Sequence, residues 1–303
     1  MFFLNLPHTV ANVFKFVHAN SGLKPCHSNL KELFTIQLSQ LQRSNLTLAD
    51  MPSISFGTRR IARTQEAFMN GGFGFIEEFT PDEEALIKDK FEQSLLLIKK
   101  VDLRLFEMVR ILISDIVFVK SPLKENNGGG SGTSSYVLGV IWIAPGQHWA
   151  VETYVESILH EFMHINLLLG EAVYGLYKNT EKLDEPEALV MSAVKLIPRP
   201  LDRAFHAACV ATVLSYFYHL LDQKNSIKRF LDPLPESVSG LVEKQEDFSG
   251  YGQAIIQQMS SFITVSNFDY LKRVINERQF AQFHGGCSPN GEAYHLGEVA
   301  EEK

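Results

Sequence analysis

The chain is short of cysteine, of positive charge and of any long unbroken apolar run, and each shortage closes off a class of protein. Its three cysteines, Cys26, Cys209 and Cys287, are odd in number and far apart, so neither a disulfide framework nor a cysteine-built metal site is expected. The thiols are expected to stay reduced, with Cys209 in the core. A formal charge of -7 and a pI near 5.8 exclude the basic surface that a nucleic-acid partner needs. The longest basic run, Thr58-Arg59-Arg60-Ile61-Ala62-Arg63, reads as a solvated face. No stretch approaches the roughly 18 apolar residues of a membrane span. The apolar residues 1–6 carry no basic leader and run into Pro7. The expectation is a cytoplasmic protein with neither membrane nor nucleic acid as partner. There is no internal repeat, and 303 residues suffice for a large core.

The elements can be placed from periodicity and punctuation. Apolar residues recur at helical spacing over residues 8–20 and 28–43, separated by Asn20-Ser21-Gly22 and Pro25, which predicts a helical hairpin. Thr80-Pro81-Asp82-Glu83 joins an N-cap, a proline at the first helical position and a capping-box glutamate. A helix from there to about residue 109 is predicted. Residues 111–119 and 136–144 are β-branched and aromatic, predicting two strands around a glycine-rich connection at 124–135. No Gly-Lys-Ser/Thr follows that connection and it leads into a strand, so it is no phosphate loop; the glycines of Asn70-Gly71-Gly72-Phe73-Gly74-Phe75 suit turns. Pro145-Gly146 leads into an apolar run at 151–169, with Gly170 as its expected C-cap. A short helix to about residue 194, a helix from Pro200 to about 221, and helices over 238–260 and 268–280 complete the reading, before a polar tail after Gly285-Gly286. The predicted fold is α+β and mostly helical, with a small antiparallel sheet packed on the buried helix of residues 151–169.

That helix contains His160-Glu161-Phe162-Met163-His164, an HExxH motif. Residues four apart on a helix lie one above the other, so both imidazoles can reach one metal ion with Glu161 beside it. The surrounding residues, among them Ile158, Leu159, Phe162 and Ile165, are apolar on nearly every side. A polar trio buried there needs partners, and a metal would satisfy it. Hydrogen bonds from core histidines to backbone carbonyls are the other possibility. A second cluster follows in Arg199-Pro200-Leu201-Asp202-Arg203-Ala204-Phe205-His206, at the start of the next helix, where the spacing places both arginines and the histidine on one face. The chain divides on this reading into an N-terminal helical region at 1–79, a metal-binding catalytic core at 80–235, and a C-terminal helical region with tail at 236–303. These are expected to form one compact domain.

Taken together, the two clusters resemble the HExxH-type peptide-modification proteins, a family regarded as 2-oxoglutarate-dependent, non-haem iron peptide β-hydroxylases. The resemblance covers about residues 110–220. It rests on the Gly/Ser-rich residues 128–135, the Gly-Val-Ile strand at 139–143, Leu159 with the HExxH motif, and Arg199-Pro200-Leu201 followed by Phe205-His206. It implies Fe(II) held by His160, His164 and His206, with 2-oxoglutarate as co-substrate and a peptide or protein as substrate. It also implies a cation for the far carboxylate of 2-oxoglutarate, supplied by Arg199 or Arg203. The family pattern has a Trp-Arg pair where Val194 and Lys195 stand here, so Lys195 is a third candidate for that cation. Glu161 then orients an imidazole or replaces one as a ligand. The alternative is a zinc metallopeptidase with Glu161 as general base. The extended HExxHxxGxxH form is excluded, because Leu167 and Gly170 occupy the positions of its glycine and third histidine. Glu185 or Glu187 would then be the third ligand.

Overall fold

A computed structural model describes residues 1–57, 77–120, 130–265 and 267–276. The arginine run at 58–63, the glycines at 70–75 and 124–129, and the tail after 285 lie outside the described residues. The described part is mostly helical with a small sheet. No helix among these residues is long and apolar enough to cross a membrane.

The N-terminal hairpin forms from α1 (Leu6–Ser21) and α2 (Leu30–Gln42). Asn5 caps α1 by accepting from the His8 backbone N–H at 2.9 Å, and Gly22 ends it in the left-handed conformation at φ 69. The capping box at Thr80 and Glu83 starts α3 (Pro81–Val101). That helix stops short of the predicted end. Asp102 leaves the helical path at ψ 108 and caps a second helix, α4 (Leu103–Leu112), accepting from the backbone N–H groups of Arg104 and Leu105. Periodicity runs on through the corner, so only the aspartate marks it.

The strands correct the predicted antiparallel sheet. β1 (Ser53–Phe56), β2 (Asp115–Phe118), β3 (Gly130–Thr133) and β4 (Val140–Ala144) form a mixed sheet in the order β1-β2-β4-β3. Both β1 and β4 run parallel to β2, and only β3 is antiparallel to β4. The physical reason is that the glycine-rich segment, read as a connection, supplies β3 itself and takes the hairpin position beside β4. Gly132 makes this pairing possible: a Cβ there would lie 2.1 Å from the Trp142 ring directly across the ladder. With β3 on one side, β4 meets β2 on the other. β2 is buried throughout, as strands covered on both faces are.

From β4 the chain enters α5 (Val151–Tyr174), which carries the HExxH motif and contacts α1, α3, α4, β3 and β4. Gly170 does not end it; Gly175 does, at φ 71, while Gly170 lies inside the helix where a side chain would meet Tyr251. The predicted short helix near residue 194 is replaced by a tight hairpin of β5 (Val190–Met191) and β6 (Pro198–Arg199). Then α6 (Leu201–Leu220) runs beside α5, buried along nearly its whole length. It is followed by α7 (Lys224–Leu231), α8 (Leu234–Glu243), α9 (Gly250–Val265) and α10 (Phe268–Asn276). The predicted helix over 238–260 is therefore two, interrupted where the buried Phe248 turns inward.

Asp102 joins the α3–α4 corner to α6, because the buried Tyr216 hydroxyl donates to its Oδ2 at 2.8 Å. Asp102→Ala removes a helix cap and leaves that hydroxyl without a partner. The expected loss is about 2 to 3 kcal/mol of unfolding free energy, measured by urea denaturation. Asp102→Asn, which can still cap, should lose less than half of that.

Candidate metal centre

The site lies where α5 and α6 pass each other. His160 and His164 project from successive turns of α5 with ring centroids 4.9 Å apart. His206, from the second turn of α6, brings its Nδ1 to 2.8 Å from the Nδ1 of His164. One of these nitrogens donates to the other. Glu161 is 2 % exposed and accepts from the Ser131 hydroxyl of β3 at 2.7 Å, while its Oε1 stands 3.9 Å from His160 Nε2. The structure thus brings together all four residues of the predicted metal and catalytic set.

The cations divide. Arg199 and Lys195 both lie near enough to His160 to disfavour its charged form, and Arg199 does the same to His164. Arg199 belongs to β6 and not to α6, so it does not share a helical face with His206. The proline at 200 is extended and separates the two. Arg203 is on α6, exposed, and does not figure among the charges acting on the three histidines. Glu185 and Glu187 are exposed on the turns ahead of β5.

Burial dominates the electrostatics. It holds His160 down at about 3 and His164 at about 4, with the neighbouring imidazole and the cations adding to the effect. His206 is pushed well below its ordinary value, again mainly by burial. All three are neutral at neutral pH, the form in which an imidazole lone pair can bind a metal. Glu161 is driven the other way, up to about 8, by burial that the Ser131 hydrogen bond only partly offsets. Among the described residues, no three His, Cys, Asp or Glu side chains are arranged as they stand to hold an ion. The donor chemistry nevertheless fits one. Two imidazole nitrogens on a single ion at ~2.1 Å each are separated by roughly 3.0 to 3.4 Å, and the His164–His206 pair is already close to that spacing. Glu161 is a buried carboxyl with no Lys or Arg paired to it among the described residues.

Beside His160 and Ser131 opens a pocket of about 350 Å³, whose walls also include Glu156, Leu196, Leu214 and Arg229. Sequence reasoning missed Ser131 and this whole pocket. Glu156 had a signal, since Glu156, His160 and His164 follow one another at four-residue spacing on α5. Arg229 had none, because its position depends on how α7 folds back.

The two opposed shifts give the protein a signed pH dependence once divalent ions are removed with EDTA. Between pH 6.5 and 8 the unfolded chain has Glu161 ionised, whereas the folded carboxyl keeps its proton up to about 8. The folded state binds more protons, so stability falls as pH rises, by about 1 to 2 kcal/mol over that window. Below 6.5 the unfolded imidazoles take up protons while His160 and His164 stay neutral down to about 3 and 4, so stability falls again toward acid. Denaturation curves at pH 6.5 and 8 should show the first loss in the native sequence and not in Glu161→Gln; equal losses in both would assign it elsewhere.

Comparison with known proteins adds no further constraint: no family model matches the chain, and a search of curated proteins returns no match.

Proposed function

We propose that the protein is a non-haem iron, 2-oxoglutarate-dependent dioxygenase that hydroxylates a β-carbon of a peptide or protein side chain. The observation that carries this reading is the meeting of His206 with His164, itself beside His160, near Arg199, a part-buried guanidinium that makes no ion pair or hydrogen bond with any of the described residues. In this reading His160, His164 and His206 would hold Fe(II), and Arg199 would take the far carboxylate of 2-oxoglutarate, with Lys195 as the substitute cation. Bound iron, 2-oxoglutarate and dioxygen together supply the oxidising power: one oxygen atom ends in the new hydroxyl, the other in succinate, and carbon dioxide leaves. The chain's own residues do the remainder. Ser131 holds the edge of the sheet to the HExxH helix and fixes Glu161, which orients its neighbouring imidazole or serves as a carboxylate ligand. The peptide substrate and the β-carbon come from the family resemblance of residues 110–220. The proposed setting is cytoplasmic, with Cys26 and Cys209 as free thiols.

One observation favours a second reading, a zinc metallopeptidase. A carboxyl held near 8 beside a metal-binding imidazole suits a general base working near neutral pH. Against it, Glu185 and Glu187, the candidates for a third ligand, are exposed on turns.

Anaerobic loading with iron(II) and 2-oxoglutarate should give the weak visible charge-transfer band of their complex, and admission of oxygen should give succinate. No band and no succinate, together with peptide cleavage by the zinc form that Glu161→Gln abolishes, would replace this reading by the peptidase. Arg199→Ala should retain iron and lose at least about tenfold in affinity for 2-oxoglutarate, as a charge-assisted hydrogen bond requires. Full affinity in that variant would reject Arg199 as the anchor.

A further inference from the structure

The pocket beside His160 ends in a group of side chains that the reading above leaves without a task. Glu156 lies one turn before His160 on α5, about 5 to 6 Å along the same face. Its Oε1 accepts from two donors at once, the Tyr218 hydroxyl of α6 and an Arg229 guanidinium nitrogen of α7. The three are braced by stacking: Arg229 lies over the Phe230 ring at 4.2 Å, and Phe230 is parallel to Tyr218 at 6.1 Å and 7°. Tyr218 and Phe230 are buried, whereas Glu156 and Arg229 keep 24 % and 54 % of their side-chain surface. Both donors use the same oxygen and both residues line the pocket, so among the described residues Oε2 and the remaining guanidinium N–H groups have no hydrogen-bond partner.

This end of the pocket presents one strong acceptor next to strong donors, and its charges cancel. A carboxylate would meet Glu156 as well as Arg229, and an ammonium group would meet Arg229 as well as Glu156. An apolar side chain would strip water from both without replacing its hydrogen bonds. A neutral amide satisfies both, giving its N–H to Glu156 and taking an N–H from Arg229 at its carbonyl. The geometry points to Glu156 and Arg229, locked by Tyr218, as the substrate-positioning site for an amide group, either a side-chain carboxamide or a main-chain peptide link. Its distance of one helical turn from His160 would set which carbon of the substrate lies at the metal centre. The role in positioning rests on the reading above; the amide preference itself does not need a metal.

The full chain, treated with EDTA, is titrated with four capped amino acids followed by saturation-transfer NMR: the N-acetyl N-methylamides of asparagine, aspartate, leucine and alanine. Asparagine should bind about tenfold more tightly than aspartate or leucine, and Glu156→Gln and Arg229→Gln should each abolish the difference. If alanine binds as tightly as asparagine and both are weakened by Glu156→Gln, the group recognised is the main-chain amide. Tyr218→Phe keeps the ring stack and removes only the hydroxyl; it should narrow the preference even if the charge variants do not fold. Aspartate or leucine binding as well as asparagine with no response of the amides to these substitutions, or no binding of any amide at millimolar concentration, would overturn the proposal. Because no metal is used, the two readings fail separately. An amide preference without iron chemistry would remove the dioxygenase alone, and iron chemistry without an amide preference would remove this site alone.

Discussion

Glu161 is a carboxyl group in the interior with one hydrogen bond, from Ser131, and the elements around it are arranged by the need to enclose it without leaving it bare. Moving a carboxyl out of water costs several kcal/mol unless it is neutralised or bonded. Here it is kept protonated near neutrality by the same burial that keeps three imidazoles uncharged. The sheet edge gives the hydroxyl, α6 gives the third histidine, and the β5–β6 hairpin brings the cations. On the opposite side of α5, the buried Asn166 donates to the Phe3 carbonyl at 2.8 Å, so that polar group is answered by the N-terminal segment.

Much of this was legible in the sequence, and the part that was depends on local rules. The cap at Thr80, the start of α5 and the apolar length of α6 are written in neighbouring residues, and those features stand where the residues put them; the strand expected over 136–144 forms only at 140–144, and α5 runs past Gly170. What failed depends on distant ones. The parallel order of β2 and β4 follows from a third strand made of Gly130, Ser131, Gly132 and Thr133, a composition with little β-propensity of its own. Its reason for being a strand is the indole of Trp142 lying across Gly132. The apolar runs of residues 116–119 and 140–144 were a hint of strands covered on both faces, since a half-exposed hairpin alternates.

The site follows the same division. The motif spacing put His160, Glu161 and His164 on one turn, and the meeting of His164 with His206 is visible only in three dimensions. The helical face proposed for Arg199, Arg203 and His206 failed at Pro200, whose extended backbone puts Arg199 on a strand and leaves Arg203 pointing to solvent. Arg199 nevertheless acts on both motif histidines, from a different element and by a different route than spacing implied.

The contacts that satisfy the site have a kinetic side. Ser131 is 30 residues from Glu161, and His206 is 42 residues from His164. Closing loops of that length costs chain entropy that is not recovered until the sheet edge and α6 have both docked. α5 can form early from local contacts, yet at that moment its histidines and glutamate face water at their ordinary pKa values. The perturbed acid–base chemistry is therefore acquired only when β3 and α6 have docked on α5, and a local opening of α6 from α5 would relax it toward that of a free peptide while leaving the helix intact.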